Sequence, residues 1–334
     1  MTTSALRDLR RSDEERFGAK SALLGELIAG EIPVPPGFAI ASDAYLAAVE
    51  GIDLDGRDPE ECARAIRELA VPDQLRTEIG GRYEQLAALA DEEEPPVAVR
   101  SSAIGEDSEE ATFAGQQETY LWVRGVDGIC RAVRDCWASL YGAEAVSYRA
   151  EMADEDAVPA MGVTVQLMVD AAVSGVMFTC NPVTGDPSTI AVNASWGLGL
   201  AVVGGEVTPD EYRVSKVTQE ILSQSIGPKE VEYVPDPSGS GATKCEVPAE
   251  RRDAACLGEE QLAALAGVGR RVEDHLGAHQ DIEWAIARGG EGELFMLQAR
   301  PVTVKPAEGS QQDASRSAMD RIWSTFGATG AGRR

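Results

Sequence analysis

Residues 281–301, DIEWAIARGGEGELFMLQARP, combine two carboxylates, an amide and a guanidinium in a pattern that could hold a metal and phosphate. The segment reads as a β-hairpin, two apolar-rich strands around the Gly-rich loop 288–293. Paired symmetrically about that loop, with Ala287 facing Leu294, the strands set Glu283 opposite Gln298 and Asp281 opposite Arg300. Side chains alternate with period two, so these four share one face, with Ala285 and Met296 as its apolar end. Ile282, Trp284, Ile286, Phe295, Leu297 and Ala299 make the other face, which is expected to be core. Carboxylate and amide oxygens suit a hard cation such as Mg²⁺, and a guanidinium suits phosphate. The same quartet also fits a plain cross-strand salt bridge, Asp281 with Arg300, on a solvated face. The hairpin alone does not choose between them.

Basic residues inside motifs are the next place to look. Residues 18–29, GAKSALLGELIA, carry apolar positions at helical spacing and place Lys20 in the first turn. A cation there opposes the helix dipole, unless an anionic ligand uses the free N–H groups and the ammonium together. The alternative is an ordinary surface lysine. Arg100 ends the apolar strand 97–99 and precedes a small, polar, acidic segment, 103–115, leading through Gly115 and Thr119 into strand 120–123. Such a loop can lay backbone N–H groups along phosphates. Two other look-alikes fail on spacing. A Walker A loop needs glycine where Asp13 stands, and GLGLAVVGG at 197–205 is GxGxxxxG with no surrounding βαβ unit. His275 and His279, the only histidines, lie at or just past a helix end with no third ligand in view, and read as surface or C-cap residues.

These residues must be positioned by a chain of two lobes. Helices are expected at 42–49 (capped by Ser42), over 58–90 as a pair, at 125–151 and at 259–276. From 161 to 214 the pattern turns to strands, and 227–257 is a polar excursion. The divisions expected are 1–160, 161–305 and a Ser-, Gly- and Ala-rich tail, 306–334, all in an α+β class. Net charge is −26 over 334 residues, which argues against a nucleic-acid surface. No long apolar run or signal-like segment is present, and six scattered cysteines lack CxxC spacing; a cytoplasmic protein off the membrane is expected.

Ten collinear stretches, among them GAKSALLGEL, IPVPPGFAI, VAVRSSAIGEDSEEATFAGQQETYL, NPVTGD, NASWGLG, TPDEYRV, DIEWAI and LQARPV, span 18–303. Together they resemble the nucleotide-binding half of the phosphoenolpyruvate synthase and pyruvate phosphate dikinase family, of which rifampin phosphotransferase is a relative. The resemblance implies an ATP-grasp architecture, two α+β lobes holding ATP and Mg²⁺ between them. It also implies that Lys20, Arg100 and Arg300 act on the phosphates, with Gly115 and Thr119 beneath them. Gln166, Met168 and Val169 would form the adenine hinge, and Glu283, Gln298 and nearby Asp281 the metal site. Two departures matter. Leu200 stands where the family commonly has Glu, which bears on how the ribose side is held. The family's phosphohistidine motif is absent around both histidines, so transfer is expected to need a partner protein or domain with a swivelling phosphohistidine domain. Pyruvate or another small molecule would then be the final acceptor. The alternatives are a catalytically incomplete nucleotide sensor and a direct small-molecule kinase.

Overall fold

The near-continuous apolar run at 161–167 forms the middle strand of an antiparallel sheet, consistent with burial on both faces. The protein is described here as a computed structural model covering residues 1–52, 54, 57–104, 118–142, 145–146, 160–239, 241–289 and 292–302. It divides into two units. The first comprises Met1–Ala29, Pro35–Met168 and Pro235–Ala242; the second comprises Gly30–Val34, Val169–Val234 and the chain from Thr243 on.

In the first unit the elements are β1 (Thr3–Ala5), α1 (Glu14–Phe17), α2 (Ala19–Ala29), β2 (Gly37–Ile40), α3 (Ser42–Val49), α4 (Pro59–Arg67), α5 (Asp73–Ala90), β3 (Val97–Ala103), β4 (Thr119–Val123), α6 (Gly125–Ala138) and β5 (Met161–Leu167). The sheet runs β1-β2-β5-β3-β4, antiparallel throughout. One face carries Phe38, Ile40, Val97, Val99, Val163 and Val165, which join Ile129, Val133 and Trp137 of α6 and Ile66 and Ile79 of α4 and α5 in a single core. Period two therefore sends Ala98, Arg100, Ser102, Thr164 and Gln166 to the opposite face. There α2 docks, through Ser21 Oγ to Thr164 Oγ1 at 2.7 Å and Ser21 N–H to Ser102 Oγ at 3.2 Å.

Three expectations shift here. Because β5 is central to this sheet, the change of unit falls at Met168/Val169, past 160/161. Ser42 is the first helical residue rather than the cap, and its hydroxyl donates to Arg16 O. The helix expected over 125–151 stops at Ala138 and tightens into a 3₁₀ turn, Ser139–Tyr141. The expected tail, 306–334, and Gly115 lie outside the described residues.

The second unit holds β6 (Ala171–Phe178), β7 (Thr189–Trp196), α7 (Leu200–Val203), β8 (Asp210–Ser215), β9 (Ile221–Ser225), the hairpin β10 (Val231–Pro235) and β11 (Ala242–Glu246), α8 (Ala249–Arg252), α9 (Glu259–Leu276), β12 (Gln280–Ala287) and β13 (Leu294–Pro301). Its six-stranded antiparallel sheet runs β13-β12-β6-β7-β8-β9. Helix α9 packs on one face: Gly269 lies so close to Met177 and Ile190 that an added Cβ would sit 2.9 Å from Met177 Sδ. The helix ends on Gly277 in the left-handed region, so neither histidine is its cap. His279 Nδ1 instead lies 3.2 Å from Glu273, and Gly30 approaches the His275 ring. The α+β class expected from the sequence is the one adopted.

Candidate active site

The first unit carries two cations, Lys20 and Arg100, and a polar strand face. Lys20 is not a surface lysine: it is 4% exposed, and its ammonium donates to Ser101 O at 2.9 Å. Gly18 makes this possible. It sits at φ +79°, and a Cβ there would lie 2.0 Å from Ser102 O, so only glycine lets the start of α2 approach β3. Arg100 lies directly opposite Thr119 on β4 and Thr164 on β5, half-buried on the α2 side of the sheet. Lys20 and Arg100 thus serve the same side. Gln166 is buried, and its Nε2 donates to Pro35 O at 3.1 Å, which ties it to the IPVPPG turn. Of the expected hinge, Leu167 N–H is bonded to Pro36 O and Met168 N–H to Pro96 O. Among the described residues no backbone partner takes the Val169 N–H.

The hairpin of the second unit keeps its expected register at the base and loses it toward the tip. Asp281 pairs with Arg300 and Glu283 with Gln298, but a bulge after Glu283 pairs Trp284 with Met296 and Ile286 with Leu294. Leu297 is the extra residue, and one inserted residue exchanges the faces beyond it. Met296 therefore joins the core beside Trp284, fully buried, while Phe295 moves opposite Ala285. Phe295 and Leu297, expected in the core, are only half-buried. The expected pairing of Ala287 with Leu294 is not made; Ala287 N–H bonds Glu293 O instead.

At the base, the guanidinium of Arg300 forks onto one oxygen of Asp281, with Nε at 2.8 Å and the terminal nitrogen at 2.7 Å. Burial pushes the Asp281 carboxyl up, and Arg300 opposes this. So the cross-strand ion pair considered from sequence exists, and it engages Asp281 with Arg300 rather than leaving it as an open ligand. Glu283 faces Gln298 next to that pair, and a carboxylate with an amide oxygen is a set that fits a hard cation.

Sequence reasoning missed two residues of this face. Followed across the sheet, the rung Gln298–Glu283 continues through Val176 to Asn193 on β7 and Glu211 on β8. The signal was available in the alternation of TIAVNAS, where a polar Asn interrupts small and apolar neighbours. Glu211 is half-buried, which raises its carboxyl above the usual range, and Arg213 partly opposes this. The strand is anchored by its neighbour: Asp210, fully buried, pairs with buried Lys229 and accepts from Gly227 N–H, Cys256 N–H and Tyr212 Oη.

The family described as "Pyruvate phosphate dikinase, AMP/ATP-binding domain" matches residues 14–321. The chain is 40% identical over 315 residues to a probable phosphoenolpyruvate synthase of Methanothermobacter thermautotrophicus, covering 89% of this chain and 45% of that protein. It is 37% identical to the phosphoenolpyruvate synthase of Pyrococcus furiosus, covering 98% of this chain and 47% of the relative. The chain thus spans about half the length of the curated relatives it matches. Among solved structures, D-cycloserine synthetase DcsG matches at a TM-score of 0.29 and 13% identity over 83% of this chain and 60% of that one, a likeness too slight to argue from. No helix among the described residues is long and apolar enough to cross a membrane. The chain belongs to the pyruvate phosphate dikinase AMP/ATP-binding domain family.

Proposed function

We propose that this ATP-binding domain transfers a phosphoryl group from Mg-ATP to a histidine on a separate protein or domain. Water takes up the other phosphoryl group, so that ATP and water end as AMP and phosphate, and the phosphohistidine serves pyruvate or another small acceptor. The observation that carries this reading is the base of the hairpin, where Glu283 faces Gln298 beside the Asp281–Arg300 pair. Glu283 and Gln298 hold Mg²⁺, which when bound neutralises phosphate charge. Asp281 orients Arg300, whose guanidinium stabilises charge on the transferring phosphates. Lys20 and Arg100 bind phosphate oxygens, with Thr119 opposite Arg100 and Gly115 in the adjoining loop. Buried near Ser101 O, the Lys20 ammonium is held in one orientation and loses little freedom on binding. Gln166, Met168 and Val169 form the adenine hinge, with the Val169 N–H as donor. We place the activity in the cytoplasm.

The test is AMP release from ATP by the full chain, with and without a protein carrying the family's phosphohistidine domain. AMP is expected only with both present. Steady turnover by the chain alone would favour a direct small-molecule kinase, and no turnover with the correct partner would overturn the proposal. A sensor reading draws on Leu200, 37% exposed where the family commonly has an acid. It predicts ATP binding that persists without transfer to any phosphohistidine domain.

A further inference from the structure

The polar stretch 227–257 carries none of the residues assigned to ATP, yet it grips the end of β7 from behind the sheet. Trp196 closes β7 opposite Val173, on the face that packs on α9. The guanidinium of Arg251, on α8, lies over its indole with the central carbon 4.4 Å from the ring centroid, and the indole Nε1–H donates to Arg251 O at 3.0 Å. Arg251 in turn pairs with Glu232 of β10 at 3.2 Å. Glu232 is buried, and among the described residues Arg251 is its ion-pair partner while its Oε2 takes no hydrogen bond.

Immediately after Trp196 the chain crosses to the other face. Gly197 O accepts from Ser174 Oγ at 2.6 Å, and Leu198 N–H donates to Tyr233 O, next to Glu232, at 2.9 Å. A Cβ on Gly197 would lie 2.4 Å from Tyr233 O, so only glycine admits β10 at this point. Ser174 stands opposite Ala285, two residues along β12 from Glu283 and on the same face. Strand spacing sets Ser174 about 8 Å from Glu283, less than the length of a nucleoside triphosphate. The loop Gly197–Gly199 therefore borders the face assigned to Mg-ATP, while Trp196 and Arg251 lie behind it.

We propose that Arg251 is a positioning residue for nucleotide binding: by clasping Trp196 and Glu232 behind the sheet, it fixes the Gly197–Gly199 loop at the border of the Mg-ATP face. The inference rests on the Mg-ATP reading above. The Arg251 side chain is 35% exposed, and an ion pair and ring contact so open to water contribute weakly to stability, so folding and affinity can be read apart. The test is calorimetric titration of the full chain with a non-hydrolysable ATP analogue and Mg²⁺, at a temperature where circular dichroism shows each variant folded. Arg251→Gln is expected to weaken the analogue about tenfold. Arg251→Lys keeps a cation over the ring and beside Glu232, and should lose less than about threefold. Because Arg251 acts through Trp196, Trp196→Leu should weaken binding similarly, and Arg251→Gln should add nothing in that background. Arg251→Gln leaves the buried Glu232 carboxylate without its cation; should that variant unfold, Arg251→Gln/Glu232→Gln, with both charges gone, decides in its place. Wild-type affinity in the folded Gln variant, equal losses in the Lys and Gln variants, or additive losses with Trp196→Leu overturn the positioning role and leave the Mg-ATP reading standing. Failure of wild type to bind the analogue overturns both.

Discussion

Replacing Lys229 by Met tests what holds β8, and with it Glu211, in place. Lys229 and Asp210 are both fully buried, and the ammonium also donates to Gly227 O at 2.8 Å. Methionine keeps most of the stem but strips the charge, leaving a carboxylate in the core with only neutral donors. Breaking one partner of a buried pair costs about 3–5 kcal/mol, a large part of a stability of about 5–15 kcal/mol. Replacing both partners by apolar residues often repairs such damage, but the geometry here forbids it. Asp210 also accepts from Gly227 N–H at 3.1 Å, Cys256 N–H at 2.8 Å and Tyr212 Oη at 3.1 Å. Removing the carboxylate orphans all three donors at about 1–3 kcal/mol each. Lys229→Met/Asp210→Leu is therefore expected to be no more stable than Lys229→Met. Urea unfolding supplies the free energies, and amide hydrogen exchange at Gly227 and Cys256 reports the site itself. A loss below about 1 kcal/mol in the single variant, or recovery in the double, would refute the reasoning.

Other consequences can be measured directly. Glu273 is pushed up by burial, but bonds from Lys216, Thr179 and His279 outweigh this and hold its carboxyl below the usual range. Its stabilisation is present above the unfolded glutamate value, about 4.3, and is lost as pH falls through the depressed folded value. Melting temperature across that acid window should therefore fall less steeply in Glu273→Gln than in wild type. Gly175→Ala would set a Cβ 1.8 Å from Asn193 O and 3.0 Å from Trp284, forcing β6 from β7; calorimetry should show a loss of about 1–3 kcal/mol or more. Arg300→Lys cannot reproduce the two-nitrogen fork onto Asp281, and should lower phosphoryl transfer by about 10²–10³-fold with little change in ATP affinity. Equal loss of binding and transfer would point to a role in ground-state binding alone.

The elements with clear periodicity were legible. The helices α4, α5 and α9 and the strands β5–β8 fall near where the sequence pattern puts them, the helices because each buries one face and the central strands because their apolar runs are buried on both. The hairpin base was legible too, since polar residues mark its register on both strands. Its tip was not, because Met296 and Leu297 are both apolar and alternation cannot reveal which of them bulges. Burial of Lys20 was hidden for another reason: its carbonyl partner on Ser101 is 81 positions away, and local pattern sees only a helix start. Asn193 and Glu211 became neighbours only once strand order was known, since nothing in the sequence says that β6 separates β12 from β7.

The short segment Gly30–Val34 is grouped with the second unit although it is made long before the rest of it. Pro33 O accepts from Met296 N–H at 2.7 Å, so during synthesis that carbonyl waits for β13 to emerge. At about 5–20 residues per second the delay is on the order of tens of seconds. The first unit must be able to condense around a five-residue excursion whose partner does not yet exist. An expressed piece beginning at Val169 would lack the Pro33 acceptor for the Met296 N–H, so a fragment meant to carry the hairpin alone has to be supplied with those five residues, as a fused or added peptide.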